Sequence, residues 1–109
     1  YSNQAKISML SVKLEQLDQY GAVSEKVARS MAEGALRRSK ADIAIACTGV
    51  AGPGGATNTK PIGLVHLACA SKTHPATHKQ CNFSGDRSMI RMATVNAAFG
   101  LIEAQLNII

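Results

Sequence analysis

Three short stretches of this chain bring together residue types that can do chemistry. In "CTGVAGPGG" (47–55), Gly49, Gly52, Gly54 and Gly55 are four of the chain's 9 glycines, and apolar runs flank them. Glycines let a backbone approach a ligand closely and take positive φ, so that successive N–H groups can converge on an anion. Thr48 adds a hydroxyl donor, and Lys60 follows the loop. In "SGDR" (84–87), Arg87 falls in the first turn of a helix, where free N–H groups favour anions and the helix dipole disfavours cations. In "YSNQAK" (1–6), the spacing puts Asn3 and Lys6 on one side of a helical turn. A lysine at such a junction, with its pKa lowered by neighbours, can act as a base.

Each stretch also has a plain structural reading. The glycine cluster is neither GxGxxG nor a phosphate loop ending in G-K-[ST], and it suits a Pro-Gly turn equally well. Arg87 can pair with Asp86, and Lys6 can be solvated. Cys47 ends an apolar run and reads as a buried structural thiol. Cys69, His74, His78 and Cys81 are zinc-type ligands, but C-x4-H-x3-H-x2-C across a hairpin loop is no finger spacing, so no metal site is expected.

The elements that must position these residues follow from periodicity. "QAKISML" (4–10) reads as a short helix, and "SVKLEQLDQYG" (11–21) as a turn and a second helix stopped by Gly21. Ser24 caps a third helix running to Lys40, with Val27, Met31 and Ala35 on its apolar face beside Ala28, Ala32 and Leu36. Gly34 should weaken that helix by about 1 kcal/mol relative to Ala. "DIAIAC" (42–47) reads as a buried strand, "IGLVHLACA" (62–70) as a second, and "THKQCNFSG" (77–85) as an edge strand. A hairpin centred on Pro75 would set Cys69 opposite Cys81. A long helix from Asp86 to Leu106 carries the stripe Ile90, Ala93, Ala97, Leu101 and Ala104. Met89, Met92, Val95 and Phe99 broaden its apolar surface, which requires cover on more than one side, from the domain or from a partner chain such as a second copy. This order makes an α/β sandwich.

Composition narrows the classes. The 109 residues form one domain, and no apolar run is long enough to span a membrane. Three widely spaced cysteines are no disulfide scaffold and suit a reducing cytoplasm. The net charge of +5 permits an anionic ligand, but scattered basic residues and 4% aromatics disfavour nucleic acid.

In order along the chain, "YSNQAK", "GAVSEKVARSMAEGA", "ADIAIACTGVAGPGG", "KPIGLVHLA" and "FSGDR" resemble the C-terminal domain of the competence/damage-inducible CinA family, whose stand-alone members are nicotinamide-nucleotide amidases. The resemblance spans nearly all of 1–109. It implies a three-layer α/β/α sandwich that converts nicotinamide mononucleotide to nicotinate mononucleotide and ammonia, with no metal or cofactor. A serine would attack the carboxamide and a lysine would take its proton. By position, Lys6 matches the family lysine with Tyr1 and Asn3 as its neighbours. Thr48, Gly49, Gly52, Gly54 and Gly55 match the substrate loop, and Arg87 matches a late substrate-binding arginine. The family serine belongs to an "ESCTGG"-like segment ahead of "YSN", so the first helix, the first strands and the nucleophile are expected outside this chain. The competing expectation is a nucleotide-binding or interaction domain that does no chemistry.

Overall fold

The computed structural model describes residues 2–108, so the expected role of Tyr1 lies outside the described residues. Three helices come first: α1 (Asn3–Leu10), α2 (Leu14–Tyr20) and α3 (Glu25–Arg37). Strands β1 (Ile43–Gly49), β2 (Leu64–Ser71) and β3 (Thr77–Asn82) follow, and α4 (Arg87–Ile108) closes the chain. Side chains set the helix starts. Ser2 accepts from the Ala5 N–H, Ser24 from Val27, and Asp86 from Met89, each relieving a backbone donor that the helix leaves unpaired. Gly21, at φ +78°, ends α2.

The sheet is antiparallel throughout, in the order β1-β2-β3. Alternation along β2 feeds two cores. Ala68 and Ala70 join Ala46 beneath Val27, Ala28, Met31 and Ala32 of α3, while Val65 and Leu67 face Ile90 of α4. Helices therefore cover both faces, giving the three-layer α/β/α arrangement, and all eight residues of β2 are buried.

Several expectations shift. Among the described residues β1 is an edge strand, only partly buried, and it runs on through Thr48 and Gly49. α3 ends at Arg37, and Arg38 turns back to donate to the Ser8 carbonyl of α1. The β2–β3 pairs are symmetric about Thr73, not Pro75. Proline has no N–H to give to a ladder, and β2 continues to Ser71, where it still pairs with Ile43 of β1. Cys69 thus faces Thr77 and Cys81 faces Val65. The two cysteines stand four residues apart along the ladder, on the order of 13 Å, beyond disulfide reach. All three cysteines are free thiols.

On α4 the inward stripe is rotated from the one expected. Ala104 is exposed and Gln105 is buried in its place. Its amide donates to Ser71 Oγ at 2.9 Å and accepts from Thr77 Oγ1 at 3.2 Å, which pins the end of the helix to both strands. Met92, Phe99 and Leu106 lie on the opposite side, exposed, and Val95 is half-exposed at the rim of the β1–α4 groove, so the described residues cover α4 on one side only.

Gly34 reverses its expected cost. A Cβ there would sit 1.6 Å from the Leu10 carbonyl oxygen, so the missing side chain is what lets α1 lie against α3. Gly34→Ala should therefore destabilise the fold by about 1–3 kcal/mol, as overpacking does, despite alanine's better helix propensity. Thermal or urea unfolding checks this, and a more stable variant would contradict the packing.

Candidate functional site

The carboxyl end of β1 opens onto a polar cavity of about 410 Å³. Asn3 and Lys6 of α1 line one side, Ala22 and Val23 of the α2–α3 junction another, with Met31 of α3 and Cys47, Thr48 and Gly49 of β1 completing it. Cys47, Thr48 and Gly49 also border a more apolar groove of about 260 Å³, between β1 and α4, on the other side of the sheet.

Lys6 is 5% exposed, and burial lowers its amine pKa from the ordinary lysine value. The N-cap at Ser2 fixes the first turn of α1 and brings Asn3 and Lys6 to the same wall. Thr48, read as a loop donor, is a buried strand residue whose hydroxyl donates to the Ala22 carbonyl at 2.8 Å. Its proton is engaged with the junction, and its oxygen keeps acceptor capacity. Gly49 is needed for packing as well as access: a Cβ there would lie 2.8 Å from the Leu64 carbonyl oxygen. Lys60 reaches the same junction, donating to the Tyr20 carbonyl at 3.3 Å and to the Val23 carbonyl. It caps the negative end of α2 and is bonded to protein.

The rest of the glycine loop lies apart from the cavity. Both ends of the loop are fixed, by Val50 N–H to the Leu64 carbonyl at 2.9 Å and Gly63 N–H to the Val50 carbonyl at 2.7 Å. Gly52, buried at φ +79°, precedes a cis peptide bond to Pro53. The Gly52 carbonyl accepts from Arg87 Nη1 at 3.0 Å. The loop and Arg87 are therefore joined, but Arg87 lines neither of the two cavities, so a single pocket shared by the loop and Arg87, which its reading as a substrate-binding arginine calls for, is not formed by these residues. Gly54 and Gly55 are exposed and line neither. Arg87 is exposed too, and a guanidinium has five N–H donors, so it can bind an anion while holding Gly52.

Cys47 corrects the sequence reading. It is exposed and borders both openings, and partial burial raises its thiol pKa, which keeps it protonated and weakly nucleophilic near neutrality. Among the described residues, no serine lines the polar cavity. Ala22, Val23 and Met31 were missed because apolar and backbone contributions carry no chemical signature in sequence.

The family model of the CinA C-terminal domain matches residues 1–106. A CinA-like protein of Endomicrobium trichonymphae is 46% identical over 106 residues, which are 97% of this chain and 24% of that protein. The crystal structure of the competence/damage inducible protein CihA from Agrobacterium tumefaciens is 46% identical with a TM-score of 0.93, over 95% of this chain and 64% of that one. The competence damage-inducible protein A of Klebsiella pneumoniae is 34% identical with a TM-score of 0.91, over 98% of this chain and 66% of that one. The chain spans about a quarter of the length of the curated relatives it matches.

The bond from Thr48 to the junction is open to test. Thr48→Val keeps the shape and removes the donor, leaving the Ala22 carbonyl without it, and should cost about 1–3 kcal/mol. Thr48→Ser should retain most of the wild-type stability. Equal stability of the valine and threonine forms in urea would show that the bond does not hold the junction.

Proposed function

This chain belongs to the CinA C-terminal domain family, and from that premise we propose that it supplies the base and the substrate-binding surfaces of a nicotinamide-nucleotide amidase. The reaction is hydrolysis of the carboxamide of nicotinamide mononucleotide to the carboxylate and ammonia. The observation that carries the reading is Lys6: a buried lysine with a lowered pKa, on the wall of a polar cavity at the end of a strand. Burial enlarges the fraction of amine able to accept a proton at neutral pH.

The nucleophile is a serine in the "ESCTGG"-like segment that the family resemblance puts ahead of these residues. When it attacks the carboxamide carbon, its proton passes to Lys6. Lys6 then returns that proton to the departing amine, and ammonia leaves. Water repeats the cycle on the acyl-serine and releases the acid. Asn3 offers an amide for orientation, and Arg87 meets the phosphate with the guanidinium N–H groups not bonded to Gly52.

In an ammonia-release assay on the native protein, Lys6→Met should lower kcat by about 10²- to 10⁴-fold with little change in KM, the loss of a general base. Arg87→Ala should instead weaken mononucleotide binding by about 1.5–3 kcal/mol by calorimetry, the range for a hydrogen bond to a charged group. The 109 residues supplied alone should bind without turnover. A native protein that binds the mononucleotide and releases no ammonia would favour the non-catalytic reading, and full activity of Lys6→Met would remove Lys6 from the chemistry.

A further inference from the structure

On the α3 side of the sheet, outside the polar cavity, two imidazoles from neighbouring strands meet. His66 Nδ1 of β2 lies 2.9 Å from His78 Nε2 of β3, and His66 is 7% exposed. The ring centroids are 5.2 Å apart and the planes are tilted by only 25°. That centroid distance is about what two imidazole radii and the N···N distance make when laid end to end. The rings therefore meet edge to edge through a hydrogen bond, and are not stacked face to face. On its far edge, His78 Nδ1 lies 3.7 Å from Glu25 Oε1, and Glu25 Oε2 accepts from Arg29 Nε at 2.8 Å.

The order of these groups favours one arrangement of the protons. A carboxylate beside His78 Nδ1 favours a proton on that nitrogen. A neutral imidazole carries one ring proton, so His78 Nε2 is then an acceptor. The donor across the 2.9 Å gap must be His66 Nδ1–H, and His66 Nε2 is left bare. A first added proton goes to His66 Nε2 and leaves the bond between the rings intact. A second can only go to His78 Nε2, the acceptor of that bond, and must break it.

We propose that Glu25, His78 and His66 form a polarised, proton-sensitive latch: Glu25 sets the tautomer of both imidazoles, and the cluster takes up one proton with its bond intact and a second only by breaking it. The latch joins β2 and β3 to the start of α3, directly after Ala22 and Val23, which wall the polar cavity. The charged groups facing it are Glu25 and Arg29 from α3 and Lys60 from the loop after β1, while β1 and β3 place the neutral Thr48 and Gln80 opposite His66. Burial opposes the imidazolium forms most, joined at His66 by the charge of His78 and of Lys60 and at His78 by Arg29; together these outweigh Glu25, so both histidines titrate below the ordinary value. The unfolded chain then binds more protons than the folded one below about pH 6.5. The latch contributes its full stability above that pH and loses it as pH falls through the folded-state values. This inference is independent of the amidase reading.

The test is nitrogen-15 NMR of the imidazoles in the labelled native protein. At neutral pH both His66 and His78 should carry the proton on Nδ1, against the preference of free imidazole for Nε2–H. An Nε2–H tautomer at His78 would overturn the proposal. Glu25→Gln, at an exposed position, should shift His78 toward Nε2–H, whereas Arg29→Gln should leave both tautomers in place. Unchanged tautomers in Glu25→Gln would remove the carboxylate from the device. Melting temperature should fall on acidification below about pH 6.5 in the wild type, and this dependence should flatten in His78→Gln. If His78→Gln fails to fold, the tautomers of the wild type and of Glu25→Gln still decide the question.

Discussion

Everything in this molecule hangs on β2. Burying eight consecutive residues requires a partner strand on each edge and a helical layer on each face, and the chain meets all four demands. The residue choice follows from it. Small residues, Ala68 and Ala70, pack beneath α3, while Val65 and Leu67 meet Ile90 of α4. The antiparallel ladder then dictates what stands beside what: Thr48 opposite His66, and Gly49 opposite Val65. The polar cavity and the histidine latch are neighbours because the same strand registers both.

The α2–α3 junction is the second organising element, and its grip is polar. The carbonyls of Tyr20, Ala22 and Val23 point away from helices that cannot use them, and Lys60 and Thr48 supply the donors. Such bonds add little net stability each, but losing one leaves a carbonyl unsatisfied. The cavity wall is thus set by donors that arrive from β1 and from the loop behind it. Arg87 acts similarly across the sheet, tying the start of α4 to the turn at Gly52.

Much of this was legible in the sequence, and the failures have physical causes. Helix starts were readable because Ser24 and Asp86 are capping residues with apolar periodicity behind them. The reach of β1 into Thr48 and Gly49 was not, because glycine and threonine carry turn signals that the pairing with β2 overrides. The hairpin register failed because Pro75 marks a turn without marking its centre. Gln105 was passed over because a buried amide looks like a surface residue until its two hydroxyl partners are seen. Lys6, Asn3 and Thr48 were found by motif and do share a cavity. The pairing of His66 with His78 depends on a diagonal across the ladder, which no local pattern encodes.

The loop between β1 and β2 has a further consequence, for how this sequence can vary. Its two ends are closed on each other by hydrogen bonds between Val50, Gly63 and Leu64, and a Cβ at Gly63 would strike the Phe83 carbonyl oxygen at 1.9 Å. Its tip, from Gly54 to Thr59, is exposed, and Thr57 closes a turn onto Lys60 with two hydrogen bonds, leaving Gly54 to Ala56 as its open part. Lengthening a closed loop adds only a slowly growing entropy cost, about 0.6 kcal/mol per doubling. Added length therefore costs least at that open part, while a side chain placed at Gly63 disturbs the closure itself.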